Sequence, residues 1–371
     1  HVSRSGYATD VAQAATFKGG RSKTPGVVAD NRLLLIDYST HLEVLVANLL
    51  LAAQETRSAI INHANVEDLE SFRCVIQLKH AAAPSDGVKL TPELRGYIET
   101  FKALATCWRH DEKTDAWTLD FFVNEAMREG FSAHFKNAAT LYRAFHKIAL
   151  LNDLAIPRAA RRRLEKEIDS RRFASRLPEP QDEDKVFRFE QVGFRRRVDG
   201  KAASLDYVSL SDGEHQFAQI LGIFSMIEAP DALFILDEPE SHFNPLWRVQ
   251  FTKQLLGLPN AERGRQEVLL TTHAPFVPCD LPREQVLIFS REDGRLTVGP
   301  PTIETFGASF DRILDACFGV NPPISQVAQD IVGDLMADGT AAEIEVALTQ
   351  LGPSVARSFL ADRLRQLKQT S

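Results

Sequence analysis

Short apolar runs alternate with stretches of three- and four-residue apolar spacing along this chain. Together they predict a mixed α/β protein. Leu33, Leu34, Leu35 and Ile36 form a run ending at Asp37, the pattern of a buried strand. Ser39 or Thr40 then caps a predicted helix through Leu42, Leu45, Val46, Leu49 and Leu50. A strand is expected around residues 74–78. Apolar stretches at 101–108 and 117–123 flank the polar run 109–115 and predict a hairpin. From Asn124 the pattern turns helical, with Phe131, Phe135, Leu141, Tyr142, Phe145, Ile148 and Leu151 on one face. This aromatic stripe reads as core rather than as a cofactor box.

Pro157 opens a basic helical stretch, in which residues 158–176 carry eight basic side chains against three acidic ones. A Pro- and acid-rich linker closes it. Two runs, 186–189 and 192–198, lead to the turn pair Asp199-Gly200 and a return strand toward Tyr207 and Val208. A helix with Phe217, Ile220, Leu221 and Phe224 follows, then a buried strand at Leu233 to Leu236 and another at 268–270. A further strand is expected at 285–289. From Ser309 the pattern is helical, with Gly352-Pro353 separating the last two helices. The expected divisions are an α/β part (1–123), a helical insert (124–184), a second α/β part (185–304) and a helical C-terminal region (305–371).

Composition narrows the classes. The 371 residues are 44% hydrophobic and 25% charged, with a formal net charge of −7. A wholly basic, nucleic-acid-coating protein is excluded, while a local basic patch is not. Cys74, Cys107, Cys279 and Cys317 are widely spaced and form no CxxC. That spacing points to reduced thiols in the cytoplasm, with neither a disulfide framework nor a zinc site. No apolar run reaches membrane-spanning length and no signal peptide is visible, so no membrane role is expected.

Three segments carry candidate chemistry. In Leu210-Ser211-Asp212-Gly213-Glu214-His215-Gln216, a hairpin hands over to a helix. Ser211 with Glu214 three residues on is a capping box. The same serine hydroxyl, the backbone N–H groups and the helix start also suit an anion such as phosphate. In Ala232-Leu233-Phe234-Ile235-Leu236-Asp237-Glu238-Pro239-Glu240, two carboxylates close a strand, where open α/β sheets place their ligands. Asp237 suits a hard cation such as Mg²⁺, and Glu238 suits a general base for an attacking water. In Leu269-Leu270-Thr271-Thr272-His273-Ala274-Pro275-Phe276, His273 follows a strand and can bond a phosphate oxygen or that water.

Together and in this order, these segments resemble the signature motif, Walker B strand and switch histidine of ABC-type ATPases. The wording Leu-Ser-Asp-Gly-Glu, Asp-Glu-Pro-Glu and Thr-His-Ala-Pro-Phe is similar to soluble RecF/SMC-like members, the group called AAA-21 or OLD-like. The flanks resemble ATPases found beside bacterial restriction and anti-phage systems. The resemblance implies an ABC-ATPase-like head in which two copies sandwich two ATP molecules. Ser211, Gly213 and Glu214 would then meet the partner copy's ATP. Asp237 would serve Mg²⁺, Glu238 would act as base, and His273 would sense the γ-phosphate. Asp212 departs from the family's usual glycine. A partner nuclease or restriction subunit, and DNA contact near Arg161, Arg162 and Arg163, are further implied partners.

No segment reads G-x-x-x-x-G-K-[ST]. The nearest, residues 17–24, ends in Lys23-Thr24 but has Phe17 and Ser22 where the glycines belong. The Walker A loop is therefore expected upstream of His1, and the chain without it is expected to bind ATP poorly. An ATPase coupling nucleotide state to DNA or to an effector is the leading reading. A slowly hydrolysing, nucleotide-switched scaffold and a RecF-like repair factor are the alternatives. With no carboxylate cluster beyond Asp237 and Glu238, a self-contained nuclease is not expected. The purified full-length protein, without partners, should leave DNA uncut in Mg²⁺ or Mn²⁺; clean metal-dependent cleavage on a gel would refute this.

Overall fold

The structure is a computed structural model that describes residues 41–62, 66–79, 90–155, 180–199, 201–227, 232–257, 266–292, 294–321 and 323–370, together with residues 88 and 166. The run at 33–36, the caps at Ser39 and Thr40, the stretch 17–24 and the basic stretch 158–176, apart from an exposed Lys166, lie outside the described residues. The chain divides into two compact units between Thr271 and Thr272.

The first unit begins with α1 (His41–Leu51) and α2 (Gln54–Ile61), then β1 (Asp68–Gln77) and α3 (Pro92–Leu104). The hairpin β2 (Cys107–Asp111) and β3 (Ala116–Phe122) leads to α4 (Glu125–Phe135) and α5 (Ala138–Ala149). A second hairpin, β4 (Phe187–Val198) and β5 (Lys201–Asp206), leads to α6 (Asp212–Met226), β6 (Leu233–Asp237), α7 (Pro245–Leu256) and β7 (Glu267–Thr271). Strands β2-β3-β1-β4-β5 make one antiparallel sheet, and β6 and β7 make a separate parallel pair.

Three local expectations are revised. Phe101 belongs to α3, not to the hairpin. Thr91 accepts the Leu94 N–H at 3.2 Å and Pro92 occupies the first turn, so a helix starts there. Leu94, Ile98 and Phe101 then form its buried face at helical spacing. The hairpin turn is correspondingly shorter, because residues 109–111 remain in β2. The aromatic stripe beyond Asn124 is two helices, each capped by an asparagine: Asn124 accepts from Met127 N–H and Asn137 from Thr140 N–H. The two runs at 186–198 are one strand, whose register against β1 shifts twice.

One face of the antiparallel sheet is apolar and meets α3, α4 and α5 through aromatic rings. Phe72 stacks on Phe121 at 4.3 Å between centroids, and Phe101 stacks on Phe145 at 4.9 Å. Phe131 is fully buried among Phe72, Phe101 and Phe121. The opposite face is polar, with Arg73 Nε 2.6 Å from Asp120 Oδ1.

Helix α1 has almost no polar face. Nine of its residues are buried, from His41 and Glu43 to Leu50, and it packs on α4, α5 and α6. Its C-terminal carbonyls are met by Arg128, which donates to Leu49 O and Leu50 O and also pairs with Asp68 Oδ2 at 2.7 Å. A cation at a helix C-terminus is favourable, and here it satisfies carbonyls that the helix leaves open. Against α6 the approach is close. Asn48 Nδ2 donates to Val44 O at 2.9 Å within its own helix and to Gly222 O at 3.1 Å across the interface. A β-carbon at Gly222 would lie 2.9 Å from Val44 Cγ1.

The second unit starts with the short α8 (Phe276–Cys279) and the hairpin β8 (Ile288–Glu292) and β9 (Arg295–Gly299). The loop after β9 returns to α8, with Gly307 N–H donating to Cys279 O at 2.9 Å and Thr305 Oγ1 to Leu281 O at 2.6 Å. Helices α9 (Phe310–Phe318), α10 (Gln326–Asp338), α11 (Ala341–Gln350) and α12 (Val355–Thr370) follow. Gly319, with φ +67°, closes α9 in the left-handed conformation that suits glycine.

Gly222→Ala should lower the unfolding free energy by about 1–3 kcal/mol, because the added methyl overpacks the α1–α6 crossing. Urea denaturation measures this, and an unchanged midpoint would show that the two helices do not approach so closely.

Candidate functional site

The parallel pair β6 and β7 sets Asp237 beside Thr271 at the C-terminal ends of both strands. The expectation of a buried strand is corrected: the strand is covered on one face. Phe234 is buried and stacks on Phe224 of α6 at 4.0 Å. Leu233 and Ile235, on the other face, are 57% and 69% exposed. Side chains alternate across a strand, so one covering helix hides only every second residue.

The strand ends hold the acidic pair through Thr271. Its hydroxyl donates to Asp237 Oδ1 at 2.5 Å, and its carbonyl accepts the Glu238 N–H at 3.1 Å. Glu238 has φ +45°, the left-handed region, which costs a non-glycine residue on the order of 1 kcal/mol. The bend that follows is closed by Ser241 N–H on Glu238 O at 3.1 Å and Phe243 N–H on Glu240 O at 3.0 Å. Asp237 and Glu238 are exposed, while Pro239 and Glu240 turn inward, Glu240 being 3% exposed. Asn244 then caps α7 by accepting the Trp247 N–H at 2.9 Å.

At the start of α6 the capping box is complete. Ser211 N–H and Oγ donate to Glu214 Oε2 at 2.7 and 2.8 Å, and Glu214 N–H reaches Ser211 Oγ at 3.4 Å. Ser211 is exposed. Gly213, read from the sequence as part of an open anion site, is buried. The loop after Glu240 lies against it: a β-carbon at Gly213 would sit 2.6 Å from the His242 carbonyl oxygen. Phe217, Phe243, Trp247 and Phe251 pack behind this contact, with Phe217–Phe243 centroids 5.2 Å apart and Phe243–Phe251 5.4 Å apart. The fold thus joins the segments carrying Ser211 and Glu238 through backbone, within one chain.

One turn further along α6, His215 meets Tyr207 at 4.2 Å and the buried His41 at 5.5 Å between ring centroids. Burial, and then the neighbouring His215, push the His41 imidazole down to about 3, although Gln219 hydrogen-bonds it. Burial also lowers His215, against the opposing pull of Asp212 and Glu214.

His273 lies in the second unit and is exposed, next to a turn in which Thr272 Oγ1 accepts the Ala274 N–H at 2.9 Å. Among the described residues no three His, Cys, Asp or Glu side chains converge as a metal-binding group. Asp237 offers a single strand-end carboxylate. That fits a Mg²⁺ ion whose other ligands are water and phosphate oxygens, not an all-protein cage. Sequence reasoning did not single out Thr271 or Glu240, nor the packing duty of Gly213. A hydroxyl residue at a strand end was a visible hint for Thr271, but its partner depends on strand register.

One comparison with known families covers these elements. Residues 102–280 match the family model described as AAA domain, putative AbiEii toxin, Type IV TA system. Among curated proteins none matches the chain. The AAA-domain match runs from within α3 to just beyond α8, so the capping box, the acidic pair and His273 all fall inside it. The match makes this part of the chain similar to an AAA-type domain. Among the described residues, no helix is long and apolar enough to cross a membrane.

The two histidines make stability depend on pH. Burial holds both below the ordinary histidine value of 6.5, His41 far below it. Below that pH the unfolded chain takes up protons that the fold refuses. Stability is therefore full above 6.5 and falls as pH drops toward 3, by up to about 1.4 kcal/mol per pH unit for His41. Urea denaturation at pH 7 and pH 5 should show this loss, and His41→Phe should flatten it; identical slopes in both proteins would contradict the assignment.

Proposed function

We propose that this chain carries the signature and Walker B half of a soluble, RecF/SMC-like ABC-type ATPase head. The observation that supports this most is the Asp237–Glu238 pair. It stands at the C-terminal end of a parallel strand, is tied to Thr271, and has Glu238 held in a left-handed backbone conformation. Strained backbone of this kind is retained where the surroundings over-determine it, and functional sites are where it clusters.

In this reading Asp237 would hold Mg²⁺, which when bound would supply charge neutralisation at the phosphates. Glu238 accepts a proton from the attacking water, and its carboxylate is exposed at the strand end where a nucleotide would be held. Ser211 offers its hydroxyl, and the α6 start its N–H groups, to the γ-phosphate of ATP held by a second copy. To do so Ser211 must turn its hydroxyl hydrogen away from Glu214. Glu214 keeps the helix start in place, and Gly213 permits close approach. His273 bonds the γ-phosphate or the water. Two copies form the working unit in the cytoplasm. Arg161, Arg162 and Arg163 offer a sequence-independent contact to DNA phosphates. The hydrolysis cycle drives a separate effector, such as a nuclease or toxin, in restriction or anti-phage defence.

Glu238→Gln in the full-length protein should lower kcat for ATP by about 10²–10⁴-fold, the usual worth of general-base catalysis. ATP affinity should stay within a few-fold of wild type. Steady-state phosphate release and nucleotide titration measure the two, and undiminished turnover would remove Glu238 from the chemistry.

A further inference from the structure

The loop between Glu238 and α7 is held by a side chain that no motif includes. Arg248 Nε donates to Phe243 O at 2.9 Å and its Nη2 donates to Ser241 O at 3.0 Å. The carbonyl between those two, that of His242, is the one that lies against Gly213. Arg248 stands in the second turn of α7, near the N-terminus, where the helix dipole disfavours a cation. The two backbone carbonyls in front of it compensate locally. A guanidinium is rigid and forked, so it holds two acceptors at a set spacing, which an ammonium does not do.

We infer that Arg248 is a positioning residue that fixes the loop 241–243, and through it both Glu238 and the start of α6. The chain of contacts is short. Ser241 N–H closes on Glu238 O, so a shift of Ser241 moves the left-handed residue that carries the proposed base. The His242 carbonyl bears on Gly213, next to the Ser211 cap, so the same shift moves the phosphate-facing helix start. With the proposed ATP sandwich, one chain's Glu238 serves one nucleotide and its Ser211 serves the other. Arg248 therefore links the two nucleotide sites mechanically. This inference rests on the functional reading above for its catalytic consequence, but not for the loop geometry.

Trp247 reports the loop directly. Its ring lies 3.4 Å from the position a Gly213 β-carbon would take, and the chain has only three tryptophans. In a full-length background with Trp108→Phe and Trp117→Phe, and with any tryptophan outside these 371 residues likewise changed to Phe, emission reads Trp247 alone. Arg248→Gln should shift that emission to the red and lower kcat for ATP about 10- to 100-fold with KM unchanged, since ångström-scale misplacement of a catalytic group carries such a cost. Arg248→Lys should recover part of both, and added methylguanidinium should partly rescue Arg248→Gly. Unchanged Trp247 emission in Arg248→Gln, or a kcat within twofold of wild type while Glu238→Gln is inactive, overturns the inference. If Glu238→Gln itself leaves turnover intact, the functional reading fails, and the emission shift alone decides whether Arg248 fixes the loop.

Discussion

The burial of α1 organises the first unit. A helix with apolar side chains on every side must be wrapped, and here α4, α5 and α6 do the wrapping. Its few polar groups are met inside the protein: Arg128 on its last carbonyls, and Asn48 reaching across to Gly222. Because Gly222 has no side chain, α6 comes close enough to be seated by α1. The seating of α6 fixes what lies at either end of it. At the N-terminus are the Ser211–Glu214 cap and the ring cluster of His41, Tyr207 and His215. Toward the C-terminus is Phe224, the ring that covers β6.

The proposed chemistry is set on the rim of that arrangement. β6 is covered on one face only, and its acidic end depends on three short-range devices: Thr271 on Asp237, the left-handed turn at Glu238, and the clasp of Arg248 on the following loop. None of these contributes much stability singly. Each instead narrows where a carboxylate or a backbone carbonyl can be, which is the requirement of a site that must align a water with a phosphate. The cost appears as local backbone strain, which the surrounding aromatic cluster of Phe217, Phe243, Trp247 and Phe251 is able to hold.

Much of this was legible in the sequence because it is local. The capping box follows from the spacing of Ser211 and Glu214, and the hairpin turn from Asp199-Gly200. The helix of α1 follows from its apolar periodicity, and the acidic strand end from an apolar run closing in two carboxylates. Errors arose where local signals competed. Phe101 lies in an apolar stretch before a hairpin, yet the Thr91-Pro92 start draws it into α3. Leu233 and Ile235 read as buried because they are apolar, but the described neighbours cover only the Phe234 side.

The sequence by itself determined the capping box, the Asn124 helix start and the acidic strand end, and which residue types could hold Mg²⁺, accept a proton or meet a phosphate. Those properties depend on spacing within a few residues. Tertiary structure alone decided that Thr271 faces Asp237, that Gly213 is buried beneath the His242 carbonyl, that Glu238 takes a left-handed backbone, and that Arg248 spans two carbonyls of the intervening loop. Each of these depends on strand register or on the approach of segments tens of residues apart, which side-chain periodicity does not encode.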